Sequence, residues 1–215
     1  MQKRAFFTAV AFAVTAFGTT HSLAQQNTFK IGLILPMTGP FAQVGKQIQA
    51  AVALYVAETG GAVSGRKIEV ILKDDKGTPA SSKRIAQELI VNDKVDVLTG
   101  FALTPSALAA APLATESRTP MVVMSAAASS ITEASPFVIR TSFTLPQVTV
   151  GIADWAPKNG IKKVVTLVSD YAPGIDAERY FKDRFALNGG EVTGSLRVPL
   201  RNPDFSPFLQ KARDL

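Results

Sequence analysis

The chain has 215 residues, of which 47% are apolar and 19% charged, and it carries a formal net charge of +6, no cysteine and one histidine. These proportions are typical of a globular domain, and the lack of cysteine excludes thiol nucleophiles and iron–sulfur clusters. The basic residues are scattered rather than gathered in a stripe with aromatic residues, so nucleic-acid binding is not expected.

Residues 1–24 are predicted to be a signal peptide. Lys3 and Arg4 precede an apolar run over residues 5–17, and residues 22–24 have the small side chains of a cleavage site. The run is shorter than the ~20 residues that a membrane-spanning helix needs. Cleavage after Ala24 removes His21, the only histidine, and with it any imidazole general base or zinc ligand. We therefore predict an exported, periplasmic protein without a cofactor or a metal site.

From residue 29 onward, apolar strand patterns alternate with helical patterns. This alternation favours an α/β fold in which a parallel sheet is flanked by helices on both faces. The predicted elements are strand Phe29–Leu35, helix Val44–Glu58, strand Ile68–Leu72, a helix from Pro79 with Thr78 as its N-cap, strand Val95–Leu98, helix Pro105–Glu116, strands Met121–Met124, Phe137–Thr141 and Val164–Val168, helix Asp176–Leu187, strand Val192–Val198 and a last helix from Phe205.

A glycine pattern occurs twice, in residues 60–65 and in residues 189–194, at a spacing of 129. Each copy ends a predicted helix and precedes a strand, as expected because glycine accepts the left-handed conformation that ends helices. The repeat predicts two similar lobes, residues 25–142 and 143–215. The second has only two predicted strands and the start of a helix, too few to close a core. We therefore expect it to be incomplete and the chain to be a fragment of a larger protein.

Three loops that follow predicted strands carry unusual residues at the sheet edge where open α/β folds bind ligands, and a fourth lies at the equivalent strand end of the second lobe. The first, residues 36–43, has no phosphate-binding motif and is predicted to be a proline-stiffened turn before a helix. Thr104, before Pro105, is predicted as a helix N-cap, and its hydroxyl could instead bind a carboxylate. The small residues 125–130 would let a ligand approach the backbone, with Ser129 as a donor. Tyr171 could cover the ligand. Each feature also has an interpretation without function: Thr104 only caps the helix, residues 125–130 are only a tight connection, and Tyr171 is only a surface aromatic residue.

These residues resemble the periplasmic substrate-binding proteins of branched-chain amino-acid type ABC transporters, the leucine/isoleucine/valine-binding family. The matching stretches recur in the order of that family. They are Ile31-Gly32-Leu33, residues 37–40, 73–75 and 100–104, Ser125 to Ser129, residues 139–141, and Asp170-Tyr171 with Gly174. The resemblance implies a two-lobed type I periplasmic-binding fold whose second lobe is truncated here.

The resemblance also implies a substrate site. Thr104, with Leu103 beside it, and Ser129 would bind the ligand carboxylate, the main-chain carbonyl of Ala127 would bind an ammonium group, and Tyr171 would close over the ligand. Two positions depart from the leucine-binding pattern, since Val44 and Pro173 stand where that pattern has aromatic residues. An altered side-chain pocket is expected, and the choice between an amino acid and a plain aromatic or aliphatic carboxylate stays open.

We therefore predict a non-enzymatic, monomeric solute-binding protein that delivers its ligand to the permease subunits of an ABC importer. Two or three hydrogen bonds on one lobe fall short of the ~8 kcal/mol of micromolar binding, so we expect this chain to bind weakly or not at all. One alternative is a sensory ligand-binding module of the same fold. Another is an exported α/β enzyme, for which the adjacent Asp74 and Asp75 would be the starting point, although they are expected to face opposite sides of a strand.

Overall fold

The computed structural model describes residues 28–200 and 204–215, so the predicted signal peptide lies outside the described residues. The helices and strands in chain order are β1 (Thr28–Leu35), α1 (Ala42–Glu58), β2 (Ala62–Val63), β3 (Arg66–Asp74), α2 (Pro79–Glu88), β4 (Val97–Gly100), α3 (Thr104–Ser117), β5 (Met121–Val123), β6 (Val138–Arg140), α4 (Leu145–Lys158), β7 (Lys163–Ser169), α5 (Ala172–Leu187), β8 (Glu191–Val198) and α6 (Ser206–Arg213). A π-helical turn, Leu89–Asp93, follows α2, and a 3-10 helix, Ser129–Glu133, follows β5.

The first lobe is a six-stranded sheet in the order β2-β3-β1-β4-β5-β6, parallel except for the short β2. Its core lies between the sheet and α2 and α3, where Ile34 and Leu98 are fully buried. Four alanines of α3 in this core are fully buried and let the helix lie close to the strands: Ala107, Ala110, Ala111 and Ala114. Helix α1 lies on the opposite face. The carboxyl ends of β1, β4 and β5 consequently meet at one edge of the sheet.

The second lobe contains a two-stranded parallel sheet, β7-β8, on which α5 packs, and α4 packs on α5. Phe185 of α5 is fully buried with Ala153 and Ala156 of α4. Its ring stacks on Phe181, with 5.1 Å between the ring centroids. The pairing of α4 with α5 holds α5 in place, and the first turns of α5 face the first lobe.

One contact recurs in both lobes. A Cβ atom added to Gly45 in α1 would lie 2.2 Å from the carbonyl oxygen of Pro36, and one added to Gly174 in α5 would lie 1.9 Å from the carbonyl oxygen of Ser169. Each glycine thus lets the helix that follows β1 or β7 rest on the backbone at the end of that strand. The two glycines are 129 residues apart, the same spacing as the two glycine-rich connectors.

The structure confirms the α/β architecture and every strand predicted, with boundary differences of a few residues; the strand predicted at Val95–Leu98 begins at Val97 and ends at Gly100. Thr78 caps α2 as predicted, since its side chain accepts a hydrogen bond from the Ser81 N–H. Helix α4 was not predicted. It begins with a capping box in which Thr144 and Gln147 bond reciprocally, a sequence signal that would have located it.

Candidate functional site

The site is built on the edge of the first sheet, at the turn after β4. Gly100 has φ +105°, and a Cβ atom there would lie 2.2 Å from the Ile34 carbonyl oxygen. Phe101, which is fully buried and also left-handed at φ +58°, donates its N–H to the same carbonyl at 2.9 Å. Two successive residues with positive φ hold the chain in a sharp turn, which places the start of α3 at the sheet edge.

Thr104 is the first residue of α3 rather than its N-cap, so the prediction of a capping hydroxyl is wrong. The cap position belongs to Leu103, whose extended backbone presents its carbonyl oxygen to the Ala107 N–H. Thr104 is only 1% exposed, and its Oγ has no hydrogen-bond partner among the described residues. A buried hydroxyl that lacks a partner is costly. Here it stands at a helix N-terminus, where partial positive charge favours an anion.

Ser106 was not singled out from the sequence. It is fully buried one turn into the same helix, and its Oγ also lacks a partner within the described part of the chain. Two buried hydroxyls without partners thus lie at the start of α3. A serine two positions after the predicted cap carried no distinctive sequence signal, because small residues are common in buried helices.

The loop of small residues after β5 lies beside this helix start. The Ala126 N–H donates to the Phe101 carbonyl oxygen at 3.0 Å, which joins the loop to the turn after β4. The Arg140 guanidinium donates to the Ala128 carbonyl and holds the loop from the β6 side. The carbonyl of Ala127 accepts the Leu145 N–H at 3.0 Å. The oxygen that was expected to receive an ammonium group therefore already has one donor.

Ser129 holds a carboxylate. Its N–H donates to Asp176 Oδ2 at 2.8 Å and its Oγ donates to Asp176 Oδ1 at 2.9 Å, so that both oxygens of one carboxylate are bound by one residue. Asp176 belongs to α5 and its side chain is 11% exposed. The contact joins the loop of the first sheet to the first turns of the second lobe. Asp176 was missed by the sequence reasoning because its partner is 47 residues away.

Leu103 and Tyr171 each stand at the N-cap of a helix, Leu103 before α3 and Tyr171 before α5. Tyr171 is the residue before α5, has extended backbone angles and is partly buried. Burial raises the pKa of its phenol, which keeps it neutral. Leu103 is partly buried, and its Cδ1 lies 3.3 Å from where a Cβ of Gly77 would stand. The structure thus brings Leu103, Thr104, Ala127 and Ser129 together on neighbouring loops, with Tyr171 carried by the helix that contacts Ser129.

Asp74 and Asp75 both have structural roles. Asp75 is 1% exposed and accepts hydrogen bonds from Ser82 Oγ at 2.6 Å and the Gly77 N–H at 2.8 Å. Burial alone would raise the pKa of Asp74, but hydrogen bonds from Thr38 Oγ and two backbone N–H groups outweigh it and lower that pKa. Among the described residues, no three His, Cys, Asp or Glu side chains are grouped as metal ligands would be.

Comparison with known proteins assigns the chain to a family. The family model described as periplasmic binding protein matches residues 28–215. The chain belongs to the periplasmic binding protein family. The Leu/Ile/Val-binding protein homolog 6 of Brucella abortus (strain 2308) is 45% identical over 203 residues, which cover 94% of this chain and 52% of the relative. The chain thus spans about half the length of the curated relatives it matches.

Solved members of the family share the fold. A solute-binding protein of an ABC transporter from Rhodopseudomonas palustris BisB5, in complex with 3,4-dihydroxybenzoic acid, is 61% identical with a TM-score of 0.85; the match covers 87% of this chain and 52% of that chain. A second from R. palustris, in complex with 4-hydroxybenzoate, is 47% identical with a TM-score of 0.84, over 87% and 51% of the two chains. Within the described ranges, none of the helices has both the length and the apolar character needed to cross a membrane.

Proposed function

We propose that this chain is the ligand-binding part of an exported solute-binding protein of an ABC importer, and that its ligand is an aromatic carboxylate of the hydroxybenzoate type. The observation that carries the proposal is the pairing of Ser129 with a carboxylate through both N–H and Oγ. Ser129 therefore has the geometry to bind both oxygens of a carboxylate, one through its N–H and the other through its Oγ. The buried Thr104 hydroxyl, without a partner among the described residues, adds a further donor beside it.

The same site favours a plain acid over an amino acid. An amino acid needs several acceptors for its ammonium group, and the Ala127 carbonyl proposed for that role has one lone pair left, since it already accepts the Leu145 N–H. The solved relatives at 61% and 47% identity hold 3,4-dihydroxybenzoic acid and 4-hydroxybenzoate. The curated relatives are named for leucine, isoleucine and valine, but the identity of this chain to the 3,4-dihydroxybenzoate complex is higher.

The proposed mechanism is binding and closure, with no catalytic step. The acid docks on the lobe of residues 25–142 through Thr104 and Ser129, with Leu103 beside it. Hinge closure then brings Tyr171 over the ring from the lobe of residues 143–215. The neutral phenol of Tyr171 adds no negative charge against the acid. The closed form, as a monomer in the periplasm, is the species that the permease subunits of the importer would recognise.

The test is ligand-observed saturation-transfer NMR, which detects binding at millimolar concentrations. We expect signals from 4-hydroxybenzoate and 3,4-dihydroxybenzoate, and none from leucine or from methyl 4-hydroxybenzoate, which lacks the carboxylate. Thr104→Val should weaken binding about tenfold, since a hydrogen bond to a charged group contributes about 1.5–3 kcal/mol. Thr104→Ser should restore it. The matched control is Thr119→Val, because Thr119 is similarly buried but lies at the opposite end of α3.

Three results would count against the proposal. Equal signals from the acid and its methyl ester would show that no carboxylate is recognised. A leucine signal stronger than that of the aromatic acids would move the ligand to the amino acids. Loss of binding in Thr119→Val as large as in Thr104→Val would mean that the substitutions act through stability rather than contact.

A further inference from the structure

Ser129 has only two donors, its N–H and its hydroxyl, and in this structure both are directed to Asp176. The two bonds are short and end on the two oxygens of one carboxylate, the arrangement that a ligand carboxylate would adopt at the same residue. A second carboxylate cannot share these hydrogens at full strength, because each donor proton serves one good acceptor. Two carboxylates side by side would also repel each other.

We propose that Asp176 is an internal competitor for the acid ligand: its carboxylate occupies the Ser129 donors in the ligand-free protein and is displaced when the acid binds. This inference rests on the proposed function and deepens it. It assigns to a residue of the second lobe a direct part in setting affinity. An incoming acid gains the Ser129 donors only by ending the contact between α5 and the loop after β5.

The surroundings of Asp176 allow such a displacement. Arg179, one turn further along α5, places its NH2 group 3.3 Å from Asp176 Oδ1, and its side chain is 60% exposed. When Asp176 leaves Ser129 it therefore keeps a cationic partner and reaches solvent with its charge compensated. A groove of about 580 Å³ adjoins the contact, lined by Ser129, Ser130 and Glu133 on one side and by Ile175 and Asp176 on the other. The carboxylate has room to swing away from Ser129 within this groove.

Competition of this kind raises the intrinsic affinity that an acid needs before its binding can be detected. An acid that contacts only Ser129 cannot displace the Asp176 carboxylate, because that carboxylate is held within hydrogen-bond distance and is therefore present at a high effective concentration. A ligand that makes further contacts, such as an aromatic ring beneath Tyr171, can. The internal carboxylate raises the dissociation constant of all acids by the same factor and leaves detectable occupancy only to those with additional contacts.

The experiment measures the dissociation constant of 4-hydroxybenzoate by NMR titration for the wild-type chain, Asp176→Ala and Asp176→Asn. We expect Asp176→Ala to bind about tenfold more tightly, because an acceptor bonded to two donors is removed. Asp176→Asn, which keeps the shape but loses the charge, should bind more tightly by a smaller factor. The matched control is Asp183→Ala, which removes the same charge from an exposed position of the same helix and should bind as the wild type does.

The outcomes separate this inference from the proposed function. If the wild type binds the acid and both Asp176 variants bind it equally or more weakly, the competitor is refuted while the proposed function stands; weaker binding would make Asp176 a clasp that closes the lobes over the ligand. If Asp183→Ala tightens binding as much as Asp176→Ala, general charge explains the effect and the inference fails. If no variant binds the acid at millimolar concentration, the proposed function fails and the competitor with it.

Discussion

Gly174 offers the sharpest test of how α5 is placed. A Cβ atom at this position would lie 1.9 Å from the Ser169 carbonyl oxygen, 3.0 Å from its carbon and 3.2 Å from its nitrogen. All three atoms belong to the backbone of β7, so no side chain can rotate away to make room. The same carbonyl also accepts the Tyr171 N–H at 2.9 Å. Gly174→Ala therefore requires α5 to move away from the end of the strand.

The size of the effect follows from two opposing contributions. Ordinary carbon–oxygen contacts begin near 3.4 Å, so the helix must retreat by about 1.5 Å, and overpacking of this kind costs about 1–3 kcal/mol or more. Replacing glycine by alanine within a helix stabilises the folded protein by about 0.5–1 kcal/mol when no contact is disturbed. We expect Gly174→Ala to lower the free energy of unfolding by about 1–2 kcal/mol net.

Gly151 provides the matched control. It lies inside α4, and no atom would lie within 4 Å of an added Cβ. Gly151→Ala should therefore raise the free energy of unfolding by about 0.5–1 kcal/mol. Urea denaturation followed by the fluorescence of Trp155, the single tryptophan and a residue of α4, reports on both variants. A Gly174→Ala chain as stable as the wild type, or two variants that shift in the same direction, would refute the proposed helix–strand contact.

Three further predictions concern buried groups. Burial alone would raise the pKa of Glu178, but hydrogen bonds from Arg197 and Thr166 outweigh it and lower that pKa. The free energy of unfolding should therefore decrease as the pH falls below about 4.5 and through the lowered pKa. Glu178→Gln should lose about 1–3 kcal/mol of stability at pH 7, and its urea midpoint should decrease less on acidification than that of the wild type. Asp75→Ala, which removes the buried carboxylate that accepts from Ser82 Oγ and the Gly77 N–H, should cost about 1–3 kcal/mol in thermal unfolding, and an unchanged Tm would contradict this role. Ala110→Leu should cost about 1–3 kcal/mol by calorimetry, because a fully buried alanine of α3 has no space for three more carbons; a stabilised variant would mean that α3 lies further from the sheet.

Much of the fold could be predicted from the sequence because its strands are short, apolar and separated by helical patterns. The central β1 ends in an uninterrupted apolar run over residues 31–35, and its last four positions are all buried. Helix α4 escaped prediction because Pro146 and Pro157 break the usual helical pattern, although one stands in the first turn and the other at the end, where proline is tolerated. The two-residue β2 is too short to give any pattern at all.

The site was predictable only in part. Loops that follow parallel strands must meet at one sheet edge, and this rule places Thr104 and Ser129 on adjacent loops without any knowledge of side-chain contacts. The role of the Thr104 hydroxyl depends on a shift of one residue in the start of α3, which sequence patterns do not resolve. The Ser129–Asp176 contact depends on how the second lobe meets the first, and no local pattern encodes that arrangement.

The glycine contacts at Pro36 and Ser169 bear on the history of the molecule. Nine positions separate Pro36 from Gly45, but only five separate Ser169 from Gly174, although both pairs make the same helix–strand contact. The helix and its contact with the strand end recur in both halves, and only the length of the connection between them differs. This is the pattern expected of a unit that was duplicated and then diversified in its loops. The loop over residues 36–41 can therefore change in length without displacing α1, since the contact beneath the helix is made by backbone rather than by any side chain.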